Sequence, residues 1–112
     1  MPRKLLVAPQ ATRDIDDTAL RIAQAAREQR GDDFLDATLE TYHQLGEMPF
    51  LGSVYPFESR RLRDLRRWFV KGFPDYVIFY RSTEDILLIV RVLQRSRDLV
   101  EAFDDLAPDE GE

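Results

Sequence analysis

The 112-residue sequence contains no cysteine, a single histidine and no long apolar run. The lack of cysteine excludes a disulfide-linked scaffold and is compatible with a reducing cytoplasm. The lack of an apolar run of about 18 residues predicts that the chain has no membrane-spanning helix. Because His43 is the sole histidine, neither a Ser-His-acid site nor a clustered His/Cys metal site has its usual residues. We therefore interpret His43 as a structural or surface residue and expect neither a metal nor a small-molecule cofactor.

The composition is that of one folded domain. The sequence is 44% hydrophobic, which is ordinary for a globular protein and too high for a disordered chain. Its length is typical of a single hydrophobic core. We predict one domain over residues 1–106 and a flexible acidic tail over residues 107–112.

The first half of the chain has the pattern of one strand and two helices. Lys4–Val7 is a short apolar run, and residues 9–30 repeat small apolar side chains at helical spacing. Gly31 predicts the end of that helix, and Asp33–Leu45 predicts a second helix. The side chains expected on the inner side of the second helix are Leu35, Leu39, Tyr42 and Leu45. Two successive amphipathic helices predict a helical hairpin.

After a loop over residues 47–59, the second half of the chain changes to the period-two pattern of strands. Three strands are predicted, at Leu65–Lys71, Asp75–Arg81 and Asp85–Leu93. The short connection between the last two predicts a β-hairpin, and Asp98 predicts the cap of a short C-terminal helix. The predicted fold class is therefore α+β, in the order β-α-α-β-β-β, with the helical hairpin packed on an antiparallel-rich sheet.

Basic residues are concentrated on the predicted sheet although the chain as a whole is acidic. The formal net charge is −5, yet residues 61–97 hold nine Arg or Lys residues against four acidic ones. Local charge matters more to a partner than the net charge does. Trp68, Tyr76 and Tyr80 alternate with these basic residues, and arginine combined with aromatic side chains is typical of interface anchors. The segment therefore predicts a face that binds another macromolecule.

A register for the predicted hairpin follows if Arg81 lies opposite Ile86. The face predicted to pack on the helices then carries Val77, Phe79, Ile86, Leu88 and Val90. The face predicted to meet a partner carries Tyr76, Ile78, Tyr80, Leu87, Ile89 and Arg91. Arg91 interrupts an otherwise apolar strand, and a charge in such a place needs a partner or access to solvent.

Three acidic residues, Asp14, Asp16 and Asp17, lie close together near the start of the first helix. They lack the glycine and the distal glutamate of a calcium-binding loop. Acidic side chains are favoured early in a helix because they interact well with its dipole. We therefore interpret the cluster as a solvated helix start without a metal.

Four segments, taken together, resemble one protein family. RRWFVKGFPDYVIFYR (66–81), an acidic turn and ILLIVRVLQRSRDL (86–99) resemble the plasmid-stabilisation toxins of the ParE/RelE superfamily. APQATRDIDDTALRIA (8–23) resembles their first helix, and MPFLGS (48–53) resembles their Pro–x–x–Gly loop. The likeness covers residues 4–100 in the same order.

The resemblance implies the cytoplasmic toxin of a type II toxin–antitoxin system, neutralised by a cognate antitoxin that is ParD-like or another ribbon-helix-helix protein. ParE-like toxins act by binding DNA gyrase, whereas RelE-like toxins cut messenger RNA on the ribosome. The residues expected to contact the target are Trp68, Arg91, Arg95 and Arg97. Those expected to contact the antitoxin are Arg66, Tyr76, Tyr80 and Arg81.

The residues favour the ParE-like branch. Val77 stands where the nuclease branch commonly has arginine, and Phe103, which cannot exchange a proton, stands where it often has tyrosine. The chain also departs from the ParE pattern, because Gln94 and Arg95 replace its usual histidine and glycine. The alternatives are a ribosome-dependent nuclease or a non-toxic module that only binds the antitoxin. The catalytic candidates of the nuclease would be Lys71, Arg81, Arg91 and Arg97.

Overall fold

The structure, a computed structural model, describes residues 3–54 and 62–95 and confirms the α+β class. Its strands are β1 (Lys4–Val7), β2 (Ser53–Val54), β3 (Arg66–Val70), β4 (Phe73–Ser82) and β5 (Ile86–Gln94). Its helices are α1 (Pro9–Ala25) and α2 (Glu28–Glu47), followed by a 3-10 turn at Pro49–Leu51. The predicted order is therefore correct apart from the additional two-residue strand β2.

The five strands form one sheet in the order β1-β5-β4-β3-β2. β1 pairs in parallel with β5, and the other neighbouring strands are antiparallel. Parallel neighbours require a crossover connection, and the helical hairpin lies within the chain that joins β1 to β5. The turn between β3 and β4 contains Gly72, whose φ of 79° explains why glycine stands there.

The helices meet at Ala26–Arg27, so the prediction that Gly31 ends the first helix was wrong. Gly31 lies in the first turn of α2, against α1. A β-carbon on Gly31 would lie 2.6 Å from the carbonyl oxygen of Ala19 and 3.1 Å from the β-carbon of Ala23. The glycine is therefore needed because the two helices approach closely there.

The inner side of α2 differs from the prediction at Leu39, whose side chain is 56% exposed. Phe34 and Thr38 are fully buried instead. The sequence pattern did not indicate that Thr38 lies on the buried side of α2, because threonine is classed as a polar residue. Yet the Thr38 hydroxyl donates to the carbonyl oxygen of Phe34 at 2.8 Å, and that of Thr41 donates to the carbonyl oxygen of Ala37 at 2.7 Å. Both hydroxyl groups are thus satisfied within the helix and add no polar cost to the core.

The two faces of the sheet are exchanged relative to the prediction. The cluster packed under the helices contains Ile78, Tyr80, Leu87, Ile89 and Val92. The opposite cluster contains Leu65, Val77, Phe79, Val90 and Leu93. Arg81 pairs with Leu88 rather than Ile86, and the register shifts between Phe79 and Tyr80. Because both faces are apolar and buried, alternation could not indicate which one the helices cover.

Several predictions concern residues outside the described ranges. These are the C-terminal helix from Asp98, which includes Phe103, the acidic tail over residues 107–112, and the roles given to Arg97. Within the described ranges, neither helix has the length and apolar character needed to cross a membrane.

Replacing Gly31 with alanine tests the close approach of the helices. We expect Gly31→Ala to lower the free energy of unfolding by about 1–3 kcal/mol, because the new methyl group meets main-chain atoms of α1. Gly46→Ala is the matched control in the same helix, since a β-carbon at Gly46 would meet no atom within 4 Å apart from its chain neighbours and the backbone of its own helix. It should raise the free energy of unfolding by up to about 1 kcal/mol through helix propensity. Urea denaturation measures both, and changes of the same sign would contradict this account.

Candidate functional site

Arg91 forms a buried ion pair with Asp14 and does not lie on a partner-facing surface. Its Nε donates to Asp14 Oδ2 at 2.8 Å, and its Nη2 donates to Oδ1 at 3.0 Å. The side chains are only 3% and 7% exposed. Two predictions are thereby corrected: Asp14 is not part of a solvated helix start, and Arg91 is not placed to contact a target. Asp16 and Asp17 are exposed as expected.

The position of Asp14 follows from where β1 ends. The last residue of β1, Val7, pairs with Ile89, and the chain then turns into α1. Beyond Ile89, no strand among the described residues pairs in parallel with β5. Asp14 Oδ2 accepts the main-chain N–H of Val92 at 3.0 Å, so one carboxylate satisfies both this strand edge and the charge of Arg91.

Tyr42 lies in the hydrophobic core between the helices and the sheet and is almost fully buried. Among the described residues its hydroxyl group has no hydrogen-bond partner. Burial raises the pKa of Tyr42 strongly, and the negative charge of Asp14 raises it further. The side chain is therefore a neutral phenol.

Tyr80 is also buried, so it does not offer the antitoxin-contacting surface that the sequence predicted. Its hydroxyl group donates to the carbonyl oxygen of Pro49 at 2.5 Å and accepts the N–H of Gly52 at 3.0 Å. Burial raises the pKa of Tyr80, while the Gly52 N–H and the Arg66 charge oppose the rise. Tyr80 therefore closes the Pro–x–x–Gly loop from inside the core.

The same loop is also held by Arg66, the cross-strand neighbour of Tyr80. Arg66 Nη1 donates to the carbonyl oxygen of Gly52 at 2.7 Å. Its guanidinium carbon lies 4.8 Å from the centre of the Phe50 ring, within range of a cation–π interaction. A β-carbon on Gly52 would lie 2.6 Å from the carbonyl oxygen of Arg67 and would also collide with the Tyr80 hydroxyl. The glycine of this motif is therefore a steric requirement.

The other candidate residues are spread over the molecule. Lys71, in the β3–β4 turn, pairs with Glu40 at 2.8 Å, and Arg81 pairs with Asp64 at 2.8 Å. Arg95 follows β5 and approaches Asp75 at 3.4 Å. Two further candidates pack on the helix-side core, namely Trp68, which is half-buried, and Tyr76, whose ring centre lies 5.2 Å from that of Phe34.

His43 is an exposed residue of α2, which agrees with its interpretation as a surface residue. Its Nε2 lies 2.8 Å from Glu47 Oε1. No group of three His, Cys, Asp or Glu side chains within residues 3–54 and 62–95 is arranged to hold a metal ion.

Sequence reasoning missed a groove of about 640 Å³ at one end of the sheet, here called the Phe50 groove. It is lined by Arg3, Phe50, Val54, Arg63, Asp64, Arg66 and the turn residues Ser82, Thr83 and Glu84. Arg3 Nε donates to the carbonyl oxygen of Thr83 at 2.6 Å, and its Nη1 donates to that of Gly46 at 3.3 Å. The signal in the sequence was the apolar pair Phe50 and Val54 within a loop, where large apolar residues are unusual.

Removing the Asp14 carboxylate should destabilise the protein severely. We expect Asp14→Ala to lower the free energy of unfolding by about 3–5 kcal/mol, because Arg91 is left buried without its counter-charge. Glu40→Ala is the control, since it breaks an exposed pair with Lys71 and should cost about 0–1 kcal/mol. The double variant Asp14→Leu/Arg91→Met should recover part of the loss. If chemical denaturation showed equal losses of unfolding free energy for Asp14→Ala and Glu40→Ala, the assignment would be contradicted.

The Tyr80 hydroxyl group should control the stability of the loop. Tyr80→Phe leaves the Pro49 carbonyl and the Gly52 N–H without their partner, and should cost about 1–3 kcal/mol of unfolding free energy. Hydrogen exchange of the Gly52 amide should accelerate at the same time. Tyr76→Phe, which removes a hydroxyl group from a half-buried residue of the same strand, should leave that exchange rate unchanged. An unchanged Gly52 rate in Tyr80→Phe would contradict this role.

Solved structures with a similar fold include chains from toxin–antitoxin systems and a conserved hypothetical protein. A chain of the chromosomal ParDE toxin–antitoxin system of P. aeruginosa is similar with a TM-score of 0.67 and 14% identity, over 82% of this chain and 95% of that one. HP0894, a conserved hypothetical protein of Helicobacter pylori, has a TM-score of 0.56 and 18% identity, over 87% and 98%. A chain of the E. coli DinJ-YafQ toxin-antitoxin complex has a TM-score of 0.51 and 18% identity, over 86% and 96%.

These identities are low, so the three likenesses show the fold alone. No curated protein matches the sequence significantly. The profile of one family, described as the ParE toxin of the type II toxin-antitoxin system parDE, matches residues 5–99. That range includes both helices and the described strands except Lys4, the first residue of β1. The chain therefore belongs to the ParE toxin family within the ParE/RelE superfamily.

Proposed function

We propose that this protein is the toxin of a type II toxin–antitoxin system, that it inhibits DNA gyrase by binding, and that a cognate antitoxin neutralises it. Membership of the ParE toxin family over residues 5–99 supports the class of system. Two proteins of similar fold come from systems named as toxin–antitoxin pairs, which supports an antitoxin as the first partner.

We prefer binding over cleavage because the candidate nuclease residues lie in different parts of the fold. RNA cleavage needs an acceptor for the 2′-hydroxyl proton and a donor for the leaving oxygen at one place. Lys71 lies in a turn, Arg81 lies at the end of β4, and Arg91 is inside the core. Each of the three contacts a different carboxylate. Arginine also remains protonated, which makes it a poor base.

The surface that we propose for the target begins where β5 ends. Arg95 is 63% exposed, and its contact with Asp75 is long and solvent-accessible, so the guanidinium group remains available to a partner. Arg97, two residues further on, is proposed to act with it. Arg91 has no part in this surface, and Trp68 contributes at most through the exposed part of its ring.

A supercoiling assay with purified gyrase tests the proposal. We expect the wild-type protein to inhibit supercoiling or to trap cleavage complexes, and Arg95→Glu/Arg97→Glu to weaken the effect by about tenfold, as charge reversal at an interface does. Arg13→Glu is the control, because Arg13 is an exposed residue of α1 whose guanidinium group contacts only Gln10 among the residues described.

The outcomes separate the alternatives. Unaffected supercoiling, with codon-positioned cuts in translated message, would replace gyrase binding with ribosome-dependent cleavage. Normal growth on expression without the antitoxin would indicate a module that binds its antitoxin and is not toxic.

A further inference from the structure

Three arginines that line the Phe50 groove, Arg3, Arg63 and Arg66, contact no carboxylate among the described residues. Arg3 contacts two carbonyl oxygens, and Arg66 contacts one carbonyl oxygen and the Phe50 ring. Arg63 is exposed, and no carboxylate in the described part of the chain contacts it. Carbonyl oxygens satisfy the N–H donors but leave the net charge in place. By contrast, Arg81 and Arg91 each contact a carboxylate.

The groove also exposes two apolar side chains beside these charges. Phe50 is 75% exposed and Val54 is 50% exposed. Large aromatic side chains together with arginine are typical of the centre of protein interfaces. A ligand that fits this surface therefore offers negative charge and apolar groups close to one another.

A third feature is the edge of the sheet. β2 is the last strand in the order, so no described strand pairs with its outer main-chain groups. Ser53 and Val54 pair with Arg67 and Arg66 on their inner side. An extended peptide can add main-chain hydrogen bonds to such an edge, which a nucleic acid cannot do in the same register.

We propose that the Phe50 groove is the docking site for an extended, acidic segment of the antitoxin whose apolar side chains pack on Phe50 and Val54. The segment's carboxylates contact Arg63 and Arg66, and its main chain follows β2. This inference rests on the proposed function, since it takes the antitoxin as the occupant. The groove fits a peptide better than a nucleic acid because β2 is an edge strand beside it, and a peptide main chain can extend such an edge.

The test measures binding of the fluorescently labelled antitoxin encoded beside this chain, in rising salt. Phe50→Ser/Arg63→Glu should weaken binding by about tenfold or more and reduce its salt dependence, because it removes an anchor and reverses a charge. Leu20→Ser/Arg27→Glu is the matched control, since it removes one exposed apolar side chain and reverses one exposed arginine on the helices. Arg27 precedes α2, whose 20 residues separate it by about 30 Å from the groove end of that helix. This control should bind within about twofold of the wild type.

A second measurement uses the unmodified protein. Antitoxin binding should slow hydrogen exchange at Ser53–Val54 and at Ser82–Glu84 and leave the α1–α2 joint unchanged. Full-strength antitoxin binding by the Phe50→Ser/Arg63→Glu variant would overturn the groove assignment while leaving the proposed function intact. A wild-type protein that forms no complex with the antitoxin would overturn both. Tighter binding of a single-stranded 12-nucleotide probe, lost in the same variant, would replace the peptide with a nucleic acid and overturn the inference.

Discussion

The ion pair between Asp14 and Arg91 connects the two ends of the fold, because its partners are 77 residues apart in the chain. β5 lies between β1 and β4, but β1 accompanies it only as far as Ile89. The helix that follows β1 supplies the missing acceptor through Asp14, and the same carboxylate neutralises Arg91. A buried pair of this kind is costly to desolvate and adds little stability compared with apolar residues of similar volume. The ion pair instead contributes to the specificity of the fold, since one position of α1 over β5 satisfies both the Arg91 guanidinium group and the Val92 N–H.

This arrangement restricts where another molecule can bind. Phe79 and Leu93 on one face are as deeply buried as Ile78 and Ile89 on the other, so neither face of the central strands is open. A partner that contacts the sheet must therefore use its ends and edges. Two exposed arginines lie in those places, Arg63 beside the Phe50 groove and Arg95 after β5.

The sequence was sufficient for the types and order of the main elements because helical and strand periods differ clearly. It was insufficient where two structures share one pattern. A strand apolar on both sides, such as Ile86–Gln94, has the same sequence signal whichever face the helices cover. Arg91 could indicate a partner surface or an internal pair, and the choice depended on Asp14, which lies in an element that the sequence suggested was solvated. The Phe50 groove unites residues 3, 50 and 63, which are brought together only by the fold.

The rigidity of the Pro49–Gly52 loop connects the core to the proposed docking site. Tyr80 forms hydrogen bonds with Pro49 and Gly52 from within the core, and Arg66 donates a further hydrogen bond to the carbonyl oxygen of Gly52. The ring of Phe50 is therefore exposed on a loop whose main chain is fixed by three hydrogen bonds. A side chain presented in this way loses less conformational entropy on binding than one on a free loop.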